Sequence, residues 1–215
     1  MLSILYKQTF GVLPDRISPI TPAGSNRQYF RLTGPETVVG VIGTSVAEND
    51  AFIYLSGHFS SKNLPVPKIF AVSDDRLCYL QSDLGDMSLF EVRENLPLLK
   101  KTIATLPDFQ YKAAEELDFS NCYPVESFDS QAVLWDLNYF KYCFLNTTGV
   151  SYSEPALESE FKRMAERLGH SEASTFMYRD FQSRNVLIKD GSPFFIDFQG
   201  GRRGPAEYDL VSFIS

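Results

Sequence analysis

No stretch of this 215-residue chain approaches the roughly 20 consecutive apolar residues that a membrane-crossing helix requires, so no membrane partner is expected. Basic charge is also scarce. Twenty lysines and arginines face 27 aspartates and glutamates, a net charge of −7, and no basic stripe is available to neutralise nucleic-acid phosphates. Cysteine is rare: Cys78, Cys122 and Cys143 are an odd, widely spaced set in aromatic or apolar surroundings. They read as reduced core thiols of a cytoplasmic protein rather than as a disulfide framework. The two histidines, His58 and His170, stand far apart without a cysteine or acid at zinc spacing, which excludes a structural zinc site. The opening MLSILYKQTFGVLPD has too short an apolar run, and no small-residue cleavage pattern, for a secretory signal. Neither a Walker pattern nor GxGxxG occurs, and there is no internal repeat or low-complexity tract.

With 44% apolar and 14% aromatic residues, the chain has enough to build one substantial core or two small lobes of a soluble globular protein. Its acidity suits cationic substrates or simply a solvated surface. The chemistry concentrates near the end, in Tyr178-Arg179-Asp180-Phe181-Gln182-Ser183-Arg184-Asn185, followed by Ile196-Asp197-Phe198-Gln199. The runs Asn185 to Lys189 and Pro193 to Asp197 are joined by Asp190-Gly191, a strong hairpin-turn signal. Asn185 and Asp197 therefore start and end one ribbon and point into one cleft. An aspartate, an asparagine five positions on and a second carboxylate across a hairpin are what magnesium-dependent phosphoryl transfer needs. Magnesium takes oxygen ligands and keeps several waters, so one carboxylate, one amide oxygen and nucleotide phosphates suffice. The alternative makes the Asp and Asn ordinary turn or cap residues.

The organisation expected is α+β. Residues 1–81 look strand-rich, with strands over Arg27 to Thr33, Glu36 to Ile42 and Leu77 to Gln81, and one amphipathic helix near Ala47 to Phe59. Residues 82–86, Ser-Asp-Leu-Gly-Asp, read as a hinge, and residues 87–215 as a mainly helical second lobe starting with a helix from Ser88 towards Leu106. Two further helices are expected to bury core stripes: Val133, Leu137, Phe140 and Phe144 on one, and Leu157, Phe161, Met164 and Leu168 on the other. The turn around Gly24, Ser25 and Asn26 lies where a phosphate-covering loop would precede the second strand, though such a turn is equally an ordinary turn.

From Tyr178 to Phe213 the chain resembles the aminoglycoside phosphotransferase and choline kinase superfamily, through RDFQSRN, IDFQ and GPAEYDLVSF. Adding GSNRQYFRL, it resembles the bacterial sugar kinases that phosphorylate the anomeric hydroxyl of N-acetylmuramate or N-acetylglucosamine. The resemblance implies a bilobal protein-kinase-like fold: a small antiparallel-sheet lobe binding ATP, with Gln81 and Asp83 at the nucleotide, and a mainly helical catalytic lobe. It implies Asp180 as catalytic base, Asn185 and Asp197 as magnesium ligands, and a bracing role for Asp209, whose alternative is a helix N-cap before Leu210. Arg179, Gln182, Arg184 and Arg202 would contact the acceptor or phosphate, or brace the loop. Tyr178 stands where the superfamily usually carries histidine, and its hydroxyl would replace that hydrogen bond.

The kinase-like pattern also calls for a lysine on the third strand, paired with a helix glutamate. That strand reads TVVGVIGTS, and no lysine occurs between Lys7 and Lys62, so Glu48 is expected to lack its usual partner. Arg27 or Arg31 is expected to supply the charge from the neighbouring strand. The sequence stops on an apolar helical start, LVSFIS, and is expected to be a truncated form of such a kinase. The function expected is an ATP- and magnesium-dependent kinase of a small-molecule hydroxyl. The alternatives are an aminoglycoside- or choline-type acceptor, or a nucleotide-binding pseudokinase.

Overall fold

β-Branched residues dictate the centre of the first half. In the computed structural model, which describes residues 1–21, 26–169 and 173–214, Val38, Val39 and Val41 lie in β3 (Val38–Ile42), whose first four residues are all buried. β3 is the middle strand of a five-stranded antiparallel sheet, order β1-β2-β3-β5-β4. Its neighbours are β1 (Arg16–Ile20), β2 (Gln28–Thr33), β4 (Ile69–Val72) and β5 (Cys78–Ser82). One face is covered by α1 (Leu2–Phe10), a helix absent from the sequence reading, which packs Leu2, Leu5 and Tyr6 on Leu32, Val38 and Leu80. Gly40 permits that approach: a Cβ there would stand 2.7 Å from Leu32 Cδ1 and 2.9 Å from Leu2 Cδ2.

The other face takes α2 (Val46–Ser61), started by Ser45, whose hydroxyl accepts from the Glu48 N–H. Phe52, Leu55 and Phe59 of α2 meet Val39, Val41 and Tyr79 of the sheet, then Phe109, Phe176 and Phe198 beyond it. One aromatic core thus joins the sheet to the helical half. The Phe52 ring stacks on Phe198 at 4.9 Å and 9°, and such pairs contribute about 0.5–1.5 kcal/mol beyond their area. This ties the helix bearing Glu48 to the backbone beside Asp197.

The linker that follows β5, residues 83–86, is gripped from both sides. Arg31 of β2 binds Asp83 and Asp86, and Lys189 Nζ donates to the Asp83 carbonyl at 2.7 Å. Ser88 to Asn95, expected as the start of a helix, is instead turns, because Leu89 and Phe90 donate their N–H groups to the carbonyls of Val186 and Ser183. Those tertiary bonds, with the Ser88–Leu187 bridge, dock the segment along the hairpin in turns rather than as a helix. The helix α3 begins only at Leu96–Pro107, capped by Asn95.

Helices α4 (Ser130–Cys143) and α5 (Glu154–Leu168) pack on each other. The two core stripes are corrected. Val133 and Phe161 are buried, but Phe140, Phe144, Met164 and Leu168 are 44%, 57%, 42% and 44% exposed. The inward face is narrower than the apolar pattern and centres on Ala132, Val133, Phe161 and Ala165. Cys143, on α4, is exposed rather than a core thiol, while Cys78 and Cys122 are buried.

The last third assembles short pieces. β6 (Phe176–Met177) pairs with β9 (Arg202–Arg203), and β7 (Val186–Lys189) pairs with β8 (Ser192–Phe195) ahead of α6 (Glu207–Ile214). Lys189 faces Ser192, so Asp190 and Gly191 alone form the turn, with φ of 50° and 69°. Among the described residues no helix is long and apolar enough to cross a membrane, and no cluster of histidine, cysteine and acidic side chains could hold a metal ion by itself.

Candidate active site

Two non-glycine residues with left-handed backbone mark the site: Arg179 at φ 76° and Asp197 at φ 68°. Such conformations cost on the order of 1–3 kcal/mol and persist where neighbours over-determine them. Here the neighbours are identifiable. Asp209 accepts from the Tyr178 N–H at 2.9 Å and the Arg179 N–H at 2.8 Å, and Gln110 Nε2 donates to it at 2.9 Å. Asp209 is the third residue of α6, so the N-cap reading is corrected and the bracing geometry is what the fold contains. Burial pushes its pKa up to about 6, against the hydrogen bonds that favour the anion. The Tyr178 hydroxyl, fully buried, donates to the Ile196 carbonyl at 2.5 Å and so ties the loop to the segment entering Asp197.

The hairpin brings Asn185 and Asp197 together. Asn185 Nδ2 donates to the Asp180 carbonyl at 2.9 Å and to Asp197 Oδ2 at 3.3 Å, while Gln199 Nε2 donates to Asp197 Oδ1 at 2.7 Å. Anchoring the Asn185 nitrogen on the Asp180 carbonyl leaves Oδ1 as its remaining ligand atom. Gln199 Oε1 is buried with no hydrogen-bond partner among the described residues. Asp180 has its pKa raised, first by burial and then by the Asp197 charge. The Asp197 carboxylate, the Asn185 amide oxygen and the orphaned Gln199 amide oxygen form an all-oxygen set beside Asp180 whose chemistry fits magnesium, with phosphate and water to complete the shell.

Asp180, Asn185, Asp197 and Gln199 all line one cleft of about 750 Å³ between the sheet and the hairpin. Its linker end is walled by Ile20, Tyr29, Val39, Gln81, Leu84 and Ile196. Gln81 is 8% exposed, and its Oε1 has no hydrogen-bond partner among the described residues. Asn26 and Asp83 also line the cleft, whereas Gly24 and Ser25 lie outside the described residues.

Glu48 does have a partner, which corrects the expectation drawn from the missing lysine. Arg27 Nη2 stands 3.0 Å from Glu48 Oε1, with its side chain 3% exposed and its guanidinium 5.7 Å from the Phe52 ring. An arginine entering β2 thus forms the helix–sheet ion pair that a β3 lysine would otherwise form. Arg31, the other candidate, also lines the cleft. Its guanidinium is held by Asp83 at 2.6 Å and 3.1 Å and by Asp86 at 2.7 Å and 3.0 Å, which keeps it charged and turned to the linker.

Arg179 and Arg184 line the cleft; Gln182 and Arg202 do not. Arg202 is 1% exposed and donates through Nε and Nη2 to the Gly200 carbonyl, a bracing contact, and burial lowers its pKa to about 10. The sequence reading missed Gln110, Gln199, Asp136 and Tyr208. Asp136 on α4 pairs with Arg179 at 2.6 Å, and no local spacing relates positions 43 residues apart.

A model of a phosphotransferase enzyme family matches residues 16–215. The N-acetylmuramate/N-acetylglucosamine kinase of Pseudomonas aeruginosa is 26% identical over 209 residues, covering 93% of this chain and 60% of that protein. The enzyme of the same description from Neisseria meningitidis is 24% identical over 233 residues, covering 94% of this chain and 63% of that protein. This chain therefore spans about 60% of the length of the curated relatives it matches. Among solved structures, a thermostable mutant of aminoglycoside phosphotransferase APH(4)-Ia in ternary complex with ADP and hygromycin B superposes with a TM-score of 0.65 at 15% identity. It covers 98% of this chain and 75% of that one. The protein-kinase-like α+β fold is thereby shared.

Proposed function

The chain belongs to the phosphotransferase enzyme family, and from that premise we propose that the protein transfers the γ-phosphoryl group of ATP, with magnesium, to the anomeric hydroxyl of an N-acetylated amino sugar. The observation that carries this is the convergence of Asp180, Asn185 and Asp197 on one cleft, with the backbone entering Asp180 pinned by Asp209. Asp180 orients the acceptor hydroxyl and takes its proton, a contribution of roughly 10² to 10⁴ in rate. Asn185 and Asp197, with the Gln199 amide oxygen beside them, hold the metal ion. Magnesium, when bound, neutralises charge on the phosphate oxygens. Arg27, kept in place by Glu48, faces the phosphates, and Gln81 and Asp83 stand at the base and ribose end.

The sugar reading is supported by the names of the relatives and by the chemistry of the acceptor. An anomeric hydroxyl is more acidic than an ordinary alcohol, so positioning and charge stabilisation suffice. The test is phosphorus NMR of the product after incubation with ATP, magnesium and N-acetylglucosamine or N-acetylmuramate. A sugar 1-phosphate is expected. Robust turnover of an aminoglycoside with none on either sugar would overturn the reading.

Arg27 yields a separate expectation. Arg27→Ala should weaken ATP binding about tenfold or more while leaving adenosine affinity within about twofold, since charge-assisted hydrogen bonds to phosphate are lost and base contacts are not. Titration calorimetry with both ligands checks it, and an equal loss for adenosine would mean that the sheet itself had been damaged.

A further inference from the structure

Arg179 and Asp180 lie side by side beneath Gly200, where a Cβ would stand 3.5 Å from Asp180 Oδ2 and 3.8 Å from Arg179 Cδ. The Arg179 guanidinium is not a solitary cation. Asp136 takes its Nη2 at 2.6 Å, the Tyr208 hydroxyl interacts with it, and the pair remains partly open, with side chains 29% and 34% exposed. Tyr123 and Pro124 line the same cleft as Arg179 and Asp180. Lys189, which holds Asp83, is four strand residues past Asn185, about 13 Å at 3.3 Å per residue.

The charges decide what such a wall selects. A lone arginine would favour an anionic acceptor and a lone aspartate a cationic one. Paired with Asp136, which stands behind it and does not itself line the cleft, Arg179 presents N–H donors beside the Asp180 carboxylate with its own positive charge offset. That matches vicinal hydroxyls or an acetamido group on a neutral ring, which donate and accept together. Guanidinium has five N–H donors in a fixed fork, so binding Asp136 leaves donors for the cleft.

We propose that Arg179, charge-balanced by Asp136, is the acceptor-recognition residue, which hydrogen-bonds a neutral polyhydroxylated ring and holds its reacting hydroxyl against Asp180. This rests on the kinase reading above. Arg179 touches the acceptor; Asp136 is a positioning residue that sets its charge balance.

The test is a charge crossover, read as binding of N-acetylglucosamine, N-acetylmuramate and glucosamine by calorimetry with an ATP analogue present. Asp136→Asn leaves Arg179 uncompensated and should shift preference about tenfold towards the carboxylated sugar. Arg179→Gln leaves Asp136 uncompensated and should shift it similarly towards the free amine. The double variant, neutral again, should return to the wild-type order. ATP-analogue affinity should stay within about twofold in all three, which also reports that they are folded. Selectivity unmoved in both single variants, or lost nucleotide affinity in parallel with sugar affinity, overturns the proposal while sugar phosphorylation by the wild type stands. A wild type that binds and phosphorylates none of the three sugars overturns both.

Discussion

Asp180→Asn is expected to bind nucleotide as the wild type does and to turn over at least about 100-fold more slowly, because the acceptor loses its proton acceptor and its orienting group. Among the described residues no hydrogen bond is made to that carboxylate; the Asn185 amide is anchored on the Asp180 backbone carbonyl. The stability consequence has a definite sign. Burial and the Asp197 charge raise the folded-state pKa of Asp180 above its ordinary value, so ionising it disfavours the folded state. In metal-free protein at neutral pH the asparagine variant should therefore melt no lower than the wild type. Any gain should vanish as the pH falls towards 4 and Asp180 takes up its proton. Turnover within a few-fold of wild type would remove Asp180 from the role of base.

The second large effect concerns the metal. Asp197→Asn retains a residue type that adopts the φ of 68° readily, so the left-handed backbone and the contact with Gln199 can survive while the negative charge is lost. Outer groups around a metal site change affinity by about 10–100-fold; loss of a ligating carboxylate should exceed that range in the magnesium concentration needed for nucleotide binding. Asn185→Ala should cost less, since a neutral amide offsets none of the cation's charge. Coincident magnesium titrations for wild type and both variants would make these residues structural only.

The hairpin shows how much of the site was legible from residues alone. Asp190-Gly191 between apolar runs specifies a two-residue turn, and that turn brings Asn185 within 3.3 Å of Asp197. The RDFQSRN spacing likewise located the loop. Other expectations failed where a distant element intervened. Ser88 to Asn95 forms turns docked on the hairpin through the Leu89 and Phe90 N–H groups instead of a helix. Arg31, offered with Arg27 as a phosphate contact, lines the cleft but is also held by two linker carboxylates more than fifty positions on. Asp209 carried the composition of a cap, yet α6 begins two residues earlier and turns its carboxylate onto the loop.

By itself, the sequence determined the strands and helices with strong apolar periodicity, the turn that closes the ribbon, and the set of oxygen-bearing residues near one loop. Backbone geometry relates residues within a turn or hairpin rigidly, so their spacing in the chain is also their spacing in space. Only the tertiary structure decided that Arg27 finds Glu48, that Arg31 is turned to the linker, and that Asp136 reaches Arg179. These pairs span 21, 52 and 43 residues. Their meeting depends on how α2, the linker and α4 pack against the sheet and the catalytic loop, and that packing is fixed by the shared aromatic core rather than by any local pattern.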